Sequence, residues 1–170
     1  MTMDPELSHL GLLLMEDFIT PDEEAEILAA LPRKGRSPQK KSRNSIWRYG
    51  ERRVYMDGFV SAKAPPLFYT LAQRLVGVHG HRGAPKCFTV NEYHAGQCIE
   101  PHVDQLACGP LITVLSLIST ANMRFTGGTK VHLVELPPRS LVTMSGEIRT
   151  HWQHSIDPVA DTRYSMVFRR

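Results

Sequence analysis

Turn signals recur every few residues from Cys87 to the C-terminus, and that punctuation constrains the fold more than any other feature of the chain. Residues 88–93 alternate polar and apolar, 94–97 read as a turn, and 111–118 are mostly apolar around Thr113 and Ser116. Further strands fit 122–126, 130–136, 140–145 and 162–169, cut apart by Gly127-Gly128, Pro137-Pro138 and Asp157-Pro158. Short strands at regular spacing pair antiparallel, so this part of the chain predicts a barrel or jelly roll.

Helical signal is confined to the other half. Thr20-Pro21-Asp22-Glu23 combines an N-cap, a proline at the first helical position and a capping-box glutamate. The helix is predicted to reach about Leu31, with Ala25, Leu28 and Ala29 on one face and Pro32 as its stop. Residues 12–15 read as a short buried strand and 33–45 as a loop. A second helix follows Pro65-Pro66, with Leu67, Leu71 and Leu75 on one side. The class is α+β, mainly β, with the N-terminal helices packed on one face of the β core. At 170 residues one domain is expected, an N-terminal extension over 1–86 and a jelly-roll core over 87–170.

Three cysteines without a Cys-x-x-Cys spacing argue against a disulfide framework and a zinc knuckle. No apolar run approaches the roughly 18–20 residues that span a bilayer, and the start lacks the pattern of a signal peptide. A monomer in the cytoplasm, or the nucleus of a eukaryote, is expected.

The net charge of +3 hides an asymmetry. Residues 1–30 hold eight carboxylates and no Lys or Arg, whereas 33–53 hold nine Lys and Arg and one acid, Glu51. Trp47, Tyr49 and Tyr55 are interleaved with Arg48, Arg52 and Arg53. Cations that track phosphates, mixed with rings that stack on bases, make nucleic acid the leading partner.

The chemistry is concentrated after Asn91. His102 and Asp104 are two apart, so an extended strand would present both on one face. An imidazole and a carboxylate so placed can be two ligands of a 2-His-1-carboxylate iron site, which leaves positions open for a cosubstrate and oxygen. The third ligand must come from a distant strand, with His154 the candidate and His151 its rival. Near the C-terminus, Arg163, Ser165 and Arg169 fall on one strand face. Two guanidiniums inside a barrel require an anion, and a dicarboxylate supplies one by bidentate pairing.

From about Asn91 to Arg169 these residues resemble the AlkB family of Fe(II)/2-oxoglutarate dioxygenases. The matching stretches are Asn91-x-Tyr93, His102-x-Asp104, Leu115-Ser116-Leu117, Ser140 to Glu147-x-Arg149, His154-x-Ile156 and Arg163-x5-Arg169. Leu136-Pro137-Pro138-Arg139 and Ser145-Gly146-Glu147 look closest to the dioxygenase domain of the tRNA-modifying AlkB homologue and to short bacterial AlkB-like proteins.

The resemblance implies a double-stranded β-helix core that uses Fe(II) and 2-oxoglutarate. His102, Asp104 and His154 would hold iron, the Arg-x4-His pattern favouring His154. Asn91 and Tyr93 would hydrogen-bond 2-oxoglutarate, Arg163 would pair with its distal carboxylate, and Arg169 would lie by its chelating end. Ser165 fills a place often taken by Asn or Ser. Trp47, Arg48, Tyr49, Tyr55 and Arg149 are assigned to the substrate. The implied activity is oxidative demethylation or hydroxylation of modified bases in RNA, tRNA or single-stranded DNA. Methyl-base repair members often carry an acid two residues after the metal aspartate, and here that residue is Leu106. This departure favours the alternative, the same chemistry on a protein or small molecule.

Overall fold

The computed structural model describes residues 4–31, 44–51 and 61–169. Its scaffold is two antiparallel sheets with helices against the outer face of the larger one. The larger sheet runs, in order, β1 (Leu12–Met15), β8 (Leu141–Met144), β5 (Ile112–Leu117), β10 (Arg163–Arg169), β3 (Cys87–Tyr93) and β2 (Ser45–Gly50). The smaller runs β4 (Ile99–His102), β9 (Gln153–Ile156), β6 (Ala121–Gly127) and β7 (Lys130–Leu136). This is the jelly-roll core expected from the spacing of the turns.

Alternation divides the central strands of the larger sheet, β8, β5, β10 and β3, between two cores. Phe88, Val90, Leu115, Leu141, Met166 and Phe168 face the helices α2 (Pro21–Ala29) and α3 (Pro66–Arg74). Ile112, Val114, Val142, Met144 and Val167 face the smaller sheet, opposite Met123, Phe125 and Ile156. The space between the sheets is where the polar faces of β3 and β10 meet the histidines of the smaller sheet.

The capping box of α2 is present as read. The Thr20 hydroxyl accepts from the Glu23 amide, and the Glu23 carboxylate accepts from the Thr20 amide. The helix stops at Ala29, and its buried anchor is Ile27 rather than the face through Ala25 and Leu28. α3 buries Phe68, Leu71 and Ala72. Two short helices lie outside the expected pattern: α1 (Pro5–His9), capped by Asp4, and α4 (Gly146–Thr150). No helix among the described residues is long and apolar enough to cross a membrane.

The substrate assignments in β2 need correction. Trp47 pairs in register with Val90 and Tyr49 with Phe88, both of which point to the helices. Trp47 therefore packs beside Tyr164, ring centroids 6.3 Å apart, and Tyr49 packs edge-on against Phe68 at 5.4 Å. Both are buried core residues, 7% and 6% exposed. Arg48, opposite Thr89, lies on the other face of β2. Tyr55, Arg52, Arg53 and the basic run through Arg43 lie outside the described residues.

Candidate metal and cofactor site

β4 and β9 pair antiparallel with His102 directly opposite His154. Cross-strand partners have neighbouring side chains however far apart they are in sequence, and these two rings lie 4.4 Å apart. One ligand atom each from His102, Asp104 and His154 falls within 4.8 Å of the others. His151 ends α4 as an exposed residue, its Nδ1 bonded to the Thr150 hydroxyl, outside this cluster. The geometry thus separates the two candidates for third ligand.

The route by which Asp104 joins differs from the one expected. β4 ends at His102, so the His-x-Asp pair is not presented by one continuous strand. Asp104 lies in the following loop, where its Oδ1 accepts from Arg169 Nη2 at 3.1 Å. Its other carboxylate oxygen is 3.7 Å from His154 Nε2.

Tautomer and charge also suit metal binding. His102 Nδ1 lies 2.9 Å from the Glu100 carbonyl, a contact the ring can make only by donating, which leaves the Nε2 lone pair free. Burial, then the neighbouring His102, lowers the His154 pKa to about 4 against the opposing pull of Asp104. His154 is neutral near pH 7, so its approach to Asp104 is two ligands converging rather than an ion pair.

The cluster opens on a cavity that His102, Asp104 and His154 help to line. Asn91, Tyr93, Arg163, Ser165 and Arg169 supply its polar lining, and Ile112, Val114 and Met123 part of its apolar lining. The register explains the gathering, because Arg163 pairs with Tyr93 and Ser165 with Asn91. Arg163 is completely buried, with its guanidinium 5.0 Å from the Tyr93 ring centroid. Nη2 donates to Ser116 Oγ at 3.2 Å, but Nε and Nη1 have no hydrogen-bond partner. Burial lowers its pKa, yet an arginine stays charged at neutral pH. A buried cation with orphaned donors is a receptor for a carboxylate.

Two residues to which the sequence assigns no role in the pocket, Asn44 and Ser116, bond to residues that line it. Asn44 donates from Nδ2 to Asn91 Oδ1 at 2.8 Å, which fixes the Asn91 amide so that its own Nδ2 donates to Ser165 Oγ at 3.2 Å. Ser116 steadies Arg163. Arg149 also departs from its substrate assignment: it is 1% exposed, with both Nη atoms committed to backbone carbonyls.

The family model of the 2OG-Fe(II) oxygenase superfamily matches residues 36–169. The chain belongs to that superfamily. It is 35% identical over 159 residues to the Xenopus tropicalis tRNA (carboxymethyluridine(34)-5-O)-methyltransferase alkbh8, covering 87% of this chain and 25% of that protein. It is 29% identical over 184 residues to the Arabidopsis thaliana alkylated DNA repair protein ALKBH8 homolog, covering 91% and 53%. The chain therefore spans between a quarter and about half the length of these relatives, which support the AlkB resemblance. In fold it is similar to OsALKBH1 (TM-score 0.74, 16% identity, 94% and 98% of the two chains). A Pseudomonas putida prolyl-4-hydroxylase is also similar (TM-score 0.67, 17% identity, 97% and 96%). The chain is an oxidoreductase whose cofactors are Fe(II) and 2-oxoglutarate. The His102, Asp104 and His154 cluster fits the first, and the orphaned donors of Arg163 fit the second.

Proposed function

We propose that this single domain is a dioxygenase that oxidatively demethylates or hydroxylates modified bases in nucleic acid, RNA, tRNA or single-stranded DNA. His102, Asp104 and His154 hold the iron. Arg163 takes the distal carboxylate of 2-oxoglutarate, and Asn91, Tyr93 and Ser165 orient the molecule from β3 and β10. Arg169, which donates to Asp104, would hold the chelating end of the molecule. Bound iron and 2-oxoglutarate would let O2 act as the oxidant, one oxygen atom entering the succinate formed from 2-oxoglutarate with loss of CO2 and the other entering a C–H bond of the substrate. The chain supplies position, a neutral imidazole at His154, and an apolar lining that includes Ile112, Val114 and Met123.

The observation that carries the substrate class is the cationic segment, nine Lys and Arg within 33–53. Polyanion binding by such a segment is salt-dependent and favours unpaired strands, in which no base has to be flipped out. The relatives named for tRNA and for alkylated DNA support the same class. With Trp47 and Tyr49 in the core, phosphate contacts from Arg48 and the other cations replace base stacking by those two rings.

The test is mass spectrometry of methylated oligonucleotides and tRNA incubated with the enzyme, Fe(II), 2-oxoglutarate and ascorbate. A mass loss or gain at a modified base, accompanied by succinate, is the expected result. Lys40→Ala and Arg43→Ala should each flatten the slope of log K against log salt, by about 0.7–0.9 for every phosphate that is no longer neutralised. Succinate without a base product, together with no oligonucleotide binding at low salt, overturns the nucleic-acid assignment and moves a protein or small molecule to first place.

A further inference from the structure

Arg149 is among the largest fully buried side chains, yet it pairs with no carboxylate among the described residues. Its Nη1 donates to the Asp104 carbonyl at 2.8 Å and its Nη2 to the Gln105 carbonyl at 2.7 Å, while Nε has no partner. Burying a cation without an anion is expensive, and an apolar side chain of the same bulk would pack there at lower cost. Its presence calls for something that only a fork of donors does.

The segment it grips explains the need. β4 stops at His102, so 103–105 have no strand or helix to hold them. That stretch carries a metal-cluster carboxylate at its centre. It leads into the 3-10 turn 106–108, in which the Gln105 carbonyl also accepts from the Cys108 amide. Leu106, at the start of that turn, is 73% exposed. The base of the clamp is itself anchored. Gly146 opens α4 at φ +54°, a conformation that favours glycine, and the Ile148 amide bonds back to the Leu10 carbonyl. A short helix anchored in this way thus holds a planar fork against the one irregular segment of the metal cluster.

We infer that Arg149 is a positioning residue: its guanidinium, by taking two successive carbonyls, fixes the Asp104 backbone so that the carboxylate stands in register with His102 and His154, and holds the Leu106 turn. It is not among the residues that line the cavity at the metal cluster. The inference rests on the metal assignment above, and concerns how that site is kept in shape.

The test measures Co(II) binding to the full chain by calorimetry and by the visible absorption of the bound ion, without substrate. Arg149→Lys keeps the cation but cannot span both carbonyls. Arg149→Gln loses charge and fork. Removing such outer support costs about 10–100-fold in metal affinity in other sites, and that loss is expected for Arg149→Gln. A smaller loss is expected for Arg149→Lys, with an altered Co(II) spectrum in both. Wild-type Co(II) affinity and spectrum in a folded Arg149→Lys or Arg149→Gln protein overturn the clamp, even if the melting temperature falls. If Arg149→Gln does not fold, Arg149→Lys decides by the same criterion. His102→Ala serves as control: unchanged Co(II) binding there overturns the metal assignment itself, an outcome separate from a failure confined to Arg149.

Discussion

Arg163→Met separates a cofactor anchor from an ordinary buried arginine, because the two predict different effects on the cofactor-free protein. Removing one member of a satisfied buried ion pair costs about 3–5 kcal/mol, since the partner is left charged and alone. Arg163 has no such partner among the described residues. Its losses on substitution are one charge-assisted bond to Ser116, about 1.5–3 kcal/mol, and the cation–π contact with Tyr93, about 1–2 kcal/mol. Against them stand two buried donors with no acceptor, Nε and Nη1, each costing about 1–3 kcal/mol while it remains. The midpoints of these ranges nearly cancel, so Arg163→Met should shift apo stability by no more than about 3 kcal/mol either way. Binding of 2-oxoglutarate should weaken in either case. Losing the cationic half of a buried, hydrogen-bonded charge pair costs about 2–5 kcal/mol, which at about 1.4 kcal/mol per decade is roughly 30-fold to several thousand-fold in Kd. Urea unfolding of the apo protein and titration of 2-oxoglutarate into the Mn(II)-loaded enzyme without oxygen give the two numbers. A variant that loses about 3 kcal/mol or more of apo stability yet binds 2-oxoglutarate normally would make Arg163 a structural cation and end its role as the cofactor anchor.

His102→Ala, Asp104→Ala and His154→Ala should each abolish succinate formation, whereas His151→Ala should keep most of it; equal loss in all four proteins would show that the cluster is not the iron site. Trp47→Ala should lower stability by about 3–5 kcal/mol, as expected for a large buried ring, and a folded variant of unchanged stability with weakened oligonucleotide binding would return Trp47 to the substrate surface. Burial lowers the pKa of His79, and burial with the nearby His79 lowers that of His81, in the chain of bonds from His79 through Thr143 and Thr113 to His81. The unfolded chain then binds protons that the folded one does not once the pH drops below about 6.5, so apo stability should fall with pH in that window; His81→Gln should reduce the slope of urea stability against pH, and an unchanged slope would count against it.

Some of this site was legible in one dimension because strand periodicity is. Arg163, Ser165 and Arg169 alternate with Tyr164, Met166 and Phe168, and a period of two places the first set on one face without knowledge of any partner strand. The same rule holds for Trp47-Arg48-Tyr49, where cations between aromatic rings resemble a surface for stacking on bases. Alternation says that rings and cation point to opposite sides of β2. Only the register with Val90 and Phe88 says that the ring side is the inside. Asp104 shows the converse, the right residue reached by the wrong route: the spacing from His102 fits a strand, while the chain has left the strand and a guanidinium from α4 holds the loop. Asn44 and Arg149 belong to a third kind. Each acts through one bond or two, to an amide or to backbone carbonyls far away in sequence. No periodicity or composition marks such a residue in advance, since its role exists only once the partner has been brought to it. Periodicity resolves faces, and motifs resolve ligands, but the residues that keep the ligands in place become visible only with the fold.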